Sequence, residues 1–323
     1  MKVLVIKPTA LGDVAQALLV APQLKMHSFC SELVWLIDED YRELVQSSPL
    51  IDRVILFPRR RWTRSLLTFL NEIIPWIRAL RRERFDLVVD LQGLARSGFM
   101  TLCTGAKRRV GLASAREGSK LTYTECVVDD APHAVARYQQ AIAQVLGKKE
   151  CPLIYLPKVT DALPHGLTAG AYTVIHPYSL WPTKLWPWER NAELVASLPE
   201  EKFVLVGKGT FFPVLEPNCL DLRGQTNMAQ LITLLSNARV VLSMDSGPLH
   251  VASVLGVPVL GLFGSTSEKL TAPIFKIGQI LSATLPCRPC LQRQCSFSEP
   301  MACMKLISVA DVRAAWLKLV NTI

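Results

Sequence analysis

Short apolar runs alternate with longer amphipathic stretches along most of this chain. In the first half, runs rich in Val, Ile and Leu occupy residues 3–6, 33–37, 53–57 and 87–90. In the second half, similar runs occupy residues 172–176, 203–207, 240–245 and 257–263. Because these runs are continuously apolar, they are typical of parallel strands that helices cover on both faces. Two series of strand–helix units therefore predict an α/β protein with two Rossmann-like domains.

The two series are separated by residues 156–171, which contain two prolines and two glycines and show no clear periodicity. This stretch is the best candidate for a linker. The sequence predicts an N-terminal domain of residues 1–157 and a C-terminal domain of residues 158–323. The total of 323 residues suits two domains of about 150 residues each.

Charge distinguishes one segment from the rest of the chain. The chain has 36 Lys and Arg residues against 27 Asp and Glu, a net charge of +9, and half of its residues are apolar. This composition excludes intrinsic disorder. Residues 51–120 hold 15 of the basic residues and six of the acidic ones, which accounts for the whole excess. Such a segment suits an anionic partner: nucleic acid, a phosphorylated ligand or a membrane surface.

The sequence contains no stretch that predicts a membrane-spanning helix, because no apolar run of 18 residues lacks charge. The first residues, MKVLVIKPTALGDV, have no cleavage site of small residues and are typical of a first strand and turn rather than a signal peptide. We therefore expect a cytoplasmic protein with mostly reduced cysteines.

Polar residues follow the predicted strands, at the edge where open parallel sheets bind ligands. In KPTALGDVAQA, Gly12 permits a tight turn and Asp13 begins a helix, where it either faces a ligand or only caps the helix. In HPYSLWPTKLWPWE, Lys184 lies near Ser179 and Thr183. A lysine in this position either neutralises a phosphate or is an ordinary solvated side chain.

The segment MDSGPLHVAS gives the strongest signal. Asp245 ends a strand, Ser246 or Gly247 caps the next helix, and Pro248 fits its first turn. His250 follows on the ligand side. The amides and dipole at such a helix start bind phosphate, whereas the alternative is a plain connection that Asp245 caps. Neither a GxGxxG fingerprint nor a P-loop occurs, which disfavours NAD-binding and kinase-type functions.

Together with PRRRW, LVVDLQGLARS, SAREGS and HAVARY, these motifs cover nearly the whole chain and resemble the lipopolysaccharide heptosyltransferases, glycosyltransferase family 9. Their order and spacing are more similar to type I than to type II. The resemblance implies the GT-B fold, with two Rossmann-like domains facing across a cleft. It implies inverting transfer of L-glycero-D-manno-heptose from ADP-heptose to the Kdo region of lipid A, with neither a metal ion nor a cofactor. It also implies a peripheral location at the cytoplasmic face of the inner membrane.

The resemblance assigns roles to individual residues. It makes Asp13 the catalytic base. It also implies that Lys184 holds the donor diphosphate and offsets the negative charge on the leaving group. The implied donor-binding residues are Gly12, Ser179, Thr183, Lys184, Thr226, Asp245, Ser246, Gly247 and His250. The implied acceptor-binding residues lie in the N-terminal domain and are Thr9, Arg60, Arg61, Arg96, Arg116 and Lys120.

Four cysteines form a cluster in the sequence near the C-terminus: Cys287, Cys290, Cys295 and Cys303. Their spacing is compatible with a structural zinc or iron site, with reduced thiols in a loop, or with disulfides. A catalytic metal is not expected, because neither histidine nor carboxylate joins the cluster. A similar run occurs in many relatives of type II, so here the chain departs from the type I pattern.

The apolar residues between positions 66 and 80 recur at helical spacing, with arginines nearby, and this pattern allows two interpretations. It predicts either a basic amphipathic helix on a membrane surface or a helix packed on its own sheet. Pro75 favours the second alternative, because it would kink an interfacial helix.

Three other functions compete with lipopolysaccharide heptose transfer. A family 9 transferase with another sugar or a protein acceptor is the nearest alternative. A UDP-sugar 2-epimerase shares the fold but is expected to need more acidic residues than Asp13 and Asp245. A nucleic-acid-binding protein would use the basic segment, yet no recognised motif or aromatic stacking platform accompanies its arginines, so we expect no nucleic-acid partner.

Overall fold

The computed structural model describes residues 1–209 and 216–322. The chain divides into two compact units, Met1–Tyr155 and Leu156–Ile323, so this division lies two residues before the predicted boundary. Each unit is built on one six-stranded sheet in which the paired strands are parallel. The predicted α/β class with two parallel sheets is confirmed.

The sheet of the N-terminal unit has the strand order β3-β2-β1-β4-β5-β6. Its strands are β1 (Lys2–Ile6), β2 (Glu32–Asp38), β3 (Arg53–Phe57), β4 (Leu87–Asp90), β5 (Arg108–Leu112) and β6 (Glu125–Val127). Its α-helices are α1 (Leu11–Leu18), α2 (Arg42–Gln46), α3 (Arg59–Arg64), α4 (Leu66–Arg82), α5 (Ala95–Cys103) and α6 (Ala134–Leu146). The strand order reverses between β1 and β4, and such a switch point opens a crevice for ligands.

The sheet of the C-terminal unit has the strand order β12-β11-β10-β7-β8-β9. Its strands are β7 (Thr173–His176), β8 (Phe203–Leu205), β9 (Cys219–Asp221), β10 (Val240–Met244), β11 (Val259–Phe263) and β12 (Gly278–Ser282). Its α-helices are α7 (Trp188–Ala196), α8 (Met228–Ser236), α9 (Gly247–Val254), α10 (Glu268–Thr271), α11 (Ala302–Lys305) and α12 (Val309–Val320). The order repeats that of the first sheet, with the switch point between β7 and β10.

Burial explains why the strands are continuously apolar. All five residues of β10 are buried, so both faces of this central strand are covered. Val240, Leu242 and Met244 alternate along it and join one apolar cluster that includes Trp186 and Trp316. Removing such side chains from water is the main source of stability for a sheet of this kind, at about 1.5–3 kcal/mol for each large one.

The helix α4 continues through Pro75, and Leu80 is its one fully buried residue. Phe69, Ile73 and Trp76 pack against the core, whereas other apolar residues of the helix are exposed. One side of the helix therefore packs on its own unit, as the second alternative predicts, and another side faces solvent. Within residues 1–209 and 216–322, none of the helices is both long enough and apolar enough to cross a bilayer.

Candidate functional site

Three loops of the C-terminal unit meet at its switch point, after β7, β10 and β11. Lys184 in the first loop places its Nζ 2.7 Å from Oδ2 of Asp245, the residue that follows β10. Thr266, in the loop after β11, donates its hydroxyl to the same carboxylate oxygen at 2.7 Å. Nε2 of His250 lies 3.6 Å from Oδ1. We name Lys184, Asp245, Thr266 and His250 the Lys184–Asp245 group.

The carboxylate at the centre of this group is held in its charged form. Asp245 is only 6% exposed, and burial alone would raise its pKa. The hydrogen bond with His250 and the positive charge of Lys184 outweigh burial and hold the pKa of Asp245 well below its usual range. The Lys184 ammonium also lies 4.8 Å from the ring centre of Trp181. The lysine is thus fixed between a carboxylate and an aromatic face.

The helix α9 begins beside this group. Ser246 is its N-cap in extended conformation and Pro248 lies in its first turn, at the predicted places. The Ser246 hydroxyl lies 3.1 Å from Nδ1 of His176 and 3.0 Å from the hydroxyl of Ser243. Burial lowers the pKa of His176 to about 4, so its imidazole is neutral at neutral pH. The helix start, including Gly247, offers backbone amides and the positive end of the dipole to an anion.

The other predicted donor residues are placed differently. Thr183 is buried, and its hydroxyl donates to the Gln292 carbonyl oxygen at 2.6 Å and lies 3.0 Å from the Ser265 hydroxyl. Its side chain therefore joins two loops of the protein. The Ser179 hydroxyl accepts from the backbone N–H of Trp181 at 3.4 Å.

Thr226 and Gly12 are not placed beside the Lys184–Asp245 group by the described contacts. Thr226 lies in the loop after the edge strand β9, and β7 and β8 separate that strand from β10. Gly12 belongs to the N-terminal unit, in the first turn of α1.

A segment that sequence reasoning did not connect with the site packs on the same loops. Arg288 donates to the carbonyl oxygen of Gly264 at 2.6 Å, and the backbone N–H of Leu291 donates to that of Ser265 at 2.9 Å. The Arg293 guanidinium lies 5.3 Å from the ring centre of Trp181, and the Lys184 ammonium contacts the same ring. The only sequence signal for this contact was the Gly-Ser-Thr run after β11, which marks the loop but not its partner.

The four clustered cysteines are Cys287, Cys290, Cys295 and Cys303. All nine cysteines of the chain lie in the described part and are free thiols. Among the residues that the structure describes, no group of three or more His, Cys, Asp or Glu side chains could hold a metal ion. The Cys295 sulfur accepts from the backbone N–H of Met301 at 3.3 Å, which contributes to a lowered pKa of that thiol.

In the N-terminal unit, Asp13 is the third residue of α1, whose N-cap is Ala10. Simple N-capping by Asp13 is therefore not observed. The Asp13 side chain is 52% exposed, and its Oδ2 lies 3.6 Å from Nζ of the buried Lys7. The Lys7 ammonium lies 5.6 Å from the Tyr138 ring. Burial lowers the pKa of Lys7, but Tyr138 and Asp13 outweigh it and raise this pKa, which keeps the ammonium charged. Sequence reasoning missed Lys7.

The switch point of the first sheet brings Thr9 and Arg96 together. Arg96 donates to the Thr9 hydroxyl at 3.4 Å, and the backbone N–H of Thr9 donates to Oε1 of Gln92 at 3.3 Å. Gln92 is placed in turn by Asp90, whose buried carboxylate accepts from the backbone N–H of Gln92 at 2.8 Å. A chain of hydrogen bonds thus orders the loop after β4.

The remaining predicted acceptor residues are exposed. Arg60 and Arg61 have side chains that are each 59% exposed, and they pair with Asp40 at 2.7 Å and Glu72 at 2.9 Å. Burial and the neighbouring positive charge of Arg59 lower the pKa of Arg96. The starts of α3 and α5 thus bring basic side chains close together. Arg116 and Lys120 are exposed in and after the loop that follows β5.

Known proteins resemble this chain over most of its length. It is 28% identical to lipopolysaccharide heptosyltransferase 1 of Pseudomonas aeruginosa, across 92% of this chain and 88% of that protein. The solved structure of Escherichia coli heptosyltransferase WaaC with ADP matches 99% of this chain and all of its own, with a TM-score of 0.82 and 21% identity. WaaC with ADP-2-deoxy-2-fluoro heptose matches 98% of this chain and 99% of its own, with a TM-score of 0.74 and 20% identity.

The structural likeness confirms the predicted GT-B fold class. The family model for glycosyltransferase family 9 (heptosyltransferase) matches residues 73–300, which is well over half of the chain. The match includes the segments after β4, β7 and β10, and with them Lys184 and Asp245. From sequence motifs, fold and family model together, this chain belongs to glycosyltransferase family 9.

Proposed function

We propose that this chain transfers L-glycero-D-manno-heptose from ADP-heptose to the Kdo region of the lipopolysaccharide inner core. The observation that carries the proposal is the Lys184–Asp245 group at the start of α9, on the ligand-binding edge of the second sheet. Two relatives support the proposal. One is a lipopolysaccharide heptosyltransferase that this chain matches over most of the length of both proteins, and the other is a solved structure of the same fold with ADP-2-deoxy-2-fluoro heptose.

The C-terminal unit would bind the donor. The start of α9, with Ser246 and Gly247, offers amides to the diphosphate, and Lys184 adds a positive charge. Asp245 fixes the position of that lysine, and because its carboxylate stays ionised it accepts hydrogen bonds from sugar hydroxyls. Neutral His176 holds Ser246 at the helix start.

The proposed reaction is a single displacement. An acceptor hydroxyl oxygen forms a bond to the anomeric carbon of heptose while the bond from that carbon to the β-phosphate oxygen of ADP breaks. The hydroxyl proton passes to the exposed carboxylate of Asp13, and ADP leaves with the bonding electrons. Lys184 stabilises the charge that develops on ADP, and the anomeric configuration inverts. The reaction is metal-independent, as the resemblance to the family implies.

The N-terminal unit would receive the acidic, lipid-linked acceptor. Thr9 and Arg96 are already hydrogen-bonded to each other beside the loop after β4. Arginine suits carboxylate and phosphate groups because its planar guanidinium donates two parallel hydrogen bonds. The further acceptor residues are Arg60, Arg61, Arg116 and Lys120. Such an acceptor requires a peripheral position at the cytoplasmic face of the inner membrane.

The test is ADP release and product mass with ADP-heptose and a Kdo-containing lipid A acceptor. The variant Asp13→Asn keeps the side-chain shape but removes the base, and should lower kcat by about 10²–10⁴-fold. Asp161→Asn, an exposed carboxylate in the linker, is the matched control and should be fully active. Absence of heptosylated product from the wild-type chain, or full activity of Asp13→Asn, would overturn the proposal. Retained configuration in the product would overturn the single displacement.

A further inference from the structure

The helix α4 exposes more apolar surface than a packed helix normally does. Leu67 is 75% exposed, Leu70 is 55% exposed and Ile74 is 54% exposed, and the neighbouring Leu66 is 70% exposed. The helix is nevertheless well anchored, because the Trp76 indole N–H donates to the Leu56 carbonyl oxygen at 3.1 Å. A contiguous exposed apolar surface on a firmly packed helix indicates an interaction site rather than a loosely folded segment.

The exposed apolar residues follow helical spacing. Leu67, Leu70 and Ile74 are three and four residues apart, so they lie on one side of α4. We name these three residues the leucine stripe. Steps of four residues extend the same side to Arg78 and Arg82, both exposed at the C-terminal end of the helix. The apolar stripe therefore runs directly into arginines.

Arginines also lie at the other end of the stripe. The short helix α3 precedes α4 and consists of RRRWTR, and its Arg60 and Arg61 side chains are both 59% exposed. The one acidic residue of α4, Glu72, pairs with Arg61 and accepts from the Trp62 indole. The surface around the leucine stripe therefore has a net positive charge.

We propose that the leucine stripe docks this chain on a bilayer of anionic phospholipid. Aliphatic side chains that enter the boundary of the acyl region, flanked by arginines at headgroup level, are the pattern of an interfacial helix. A second copy of this chain fits worse, because an isologous contact would bring both sets of arginines against each other. The inference rests on the proposed function in one respect, since an enzyme for a lipid-linked acceptor works at a membrane surface.

Vesicle binding of the full chain tests this surface without depending on catalysis. One set of vesicles contains phosphatidylglycerol and phosphatidylethanolamine, and the other contains phosphatidylcholine alone. The wild-type chain should bind the anionic vesicles, less so as salt is raised, and the phosphatidylcholine vesicles at least about tenfold more weakly. The triple variant Leu67→Gln, Leu70→Gln, Ile74→Gln should bind the anionic vesicles at least about tenfold more weakly than wild type.

Met26→Gln is the matched control, because Met26 is 64% exposed in the same unit and lies outside α3 and α4. It should bind vesicles as the wild type does. Unchanged binding by the triple variant, or equal binding to both kinds of vesicle, would overturn the proposal. A concentration-dependent dimer of the wild type that the triple variant abolishes, without vesicle binding, would assign the stripe to a second copy instead.

Transfer to a water-soluble, deacylated acceptor is measured in parallel, with circular dichroism as the check of folding. The folded triple variant should keep this soluble activity, since its defect lies in reaching the membrane. Loss of soluble activity in that variant would overturn the docking role. If neither protein transfers heptose, the proposed function fails, and the vesicle measurement still decides whether the stripe binds lipid.

Discussion

The variant Lys184→Met separates the structural role of Lys184 from its proposed catalytic role. Methionine keeps most of the side-chain length and removes the ammonium group. Lys184 and Asp245 have side chains only 15% and 6% exposed, at a distance of 2.7 Å. Removing one partner of a buried pair costs about 3–5 kcal/mol, because the other charge stays buried without its partner. Thr266 and His250 remain with Asp245, so we expect the lower end, about 3 kcal/mol of lost unfolding free energy.

The same change removes a positive charge from the proposed diphosphate site. Removing one preorganised group that stabilises a developing charge costs about 10²–10³-fold in rate, so kcat/KM for heptose transfer should fall by that factor. The double variant Lys184→Met, Asp245→Asn has neither buried charge. It should recover most of the lost stability, whereas its activity should stay as low as that of Lys184→Met.

Urea unfolding and steady-state kinetics of the wild type, both single variants and the double variant form a double-mutant cycle. The reasoning is refuted if Lys184→Met unfolds like the wild type, because the contact between Lys184 and Asp245 would then contribute nothing to the free energy of unfolding. It is equally refuted if the double variant regains activity. In that case Lys184 would serve only to neutralise Asp245.

Three further predictions concern other parts of the chain. Replacing Arg60 and Arg61 by alanine should raise the KM for acceptor and leave the KM for ADP-heptose unchanged; an unchanged acceptor KM would remove both from the acceptor site. Burial lowers the pKa of His176 from 6.5 to about 4. As the pH falls from about 6.5 to about 4, the unfolded state therefore binds a proton that the folded state does not, and up to about 3 kcal/mol of unfolding free energy is lost. Urea unfolding of His176→Gln should lack this contribution to the pH dependence. Gly264→Ala should destabilise the chain by about 1–3 kcal/mol, because the new Cβ would lie 2.5 Å from Sδ of Met304. An unchanged urea midpoint would show that the segments of Gly264 and Met304 move apart without a cost in stability.

The central strands could be predicted closely from sequence, because burial on both faces leaves an uninterrupted apolar signal. The observed limits of β4, which lies between β1 and β5 and is fully buried, coincide with the predicted run at 87–90. The edge strand β3 also coincides with its predicted run at 53–57, because four of its five residues are apolar although most are only partly buried. The edge strand β12 was not named from the sequence, since its residues are only partly buried and include Gly278, Gln279 and Ser282. As an edge strand, β12 pairs only with β11, and its sequence shows no continuous apolar run.

The candidate site likewise contains residues that the sequence predicts and contacts that only the folded structure shows. Asp245 directly follows β10 and Lys184 lies in the loop after β7, positions that sequence can recognise, and the structure brings the two side chains into contact. Thr266 is 21 residues from Asp245, and Lys7, directly after β1, reaches Asp13 on α1, so only the folded sheet shows these partners. The contact of Thr183 with Gln292 spans 109 residues, beyond any local pattern. Helical periodicity identified α4, but not which apolar residues would remain in solvent.

The order of strands and helices also sets the order in which the two units can form during synthesis. In the N-terminal unit, the central strand β1 finds both of its neighbours once β4 has emerged, and α6 packs against α1 by residue 146. In the C-terminal unit, the indole of Trp316 on α12 donates to the hydroxyl of Thr173 on β7 at 3.0 Å, across 143 residues. The first unit can therefore fold on the ribosome while the second is still being made. The second waits for α12, the last helix that the structure describes, so a nascent chain that stalls before Trp316 would carry a folded N-terminal unit and an incompletely folded C-terminal unit.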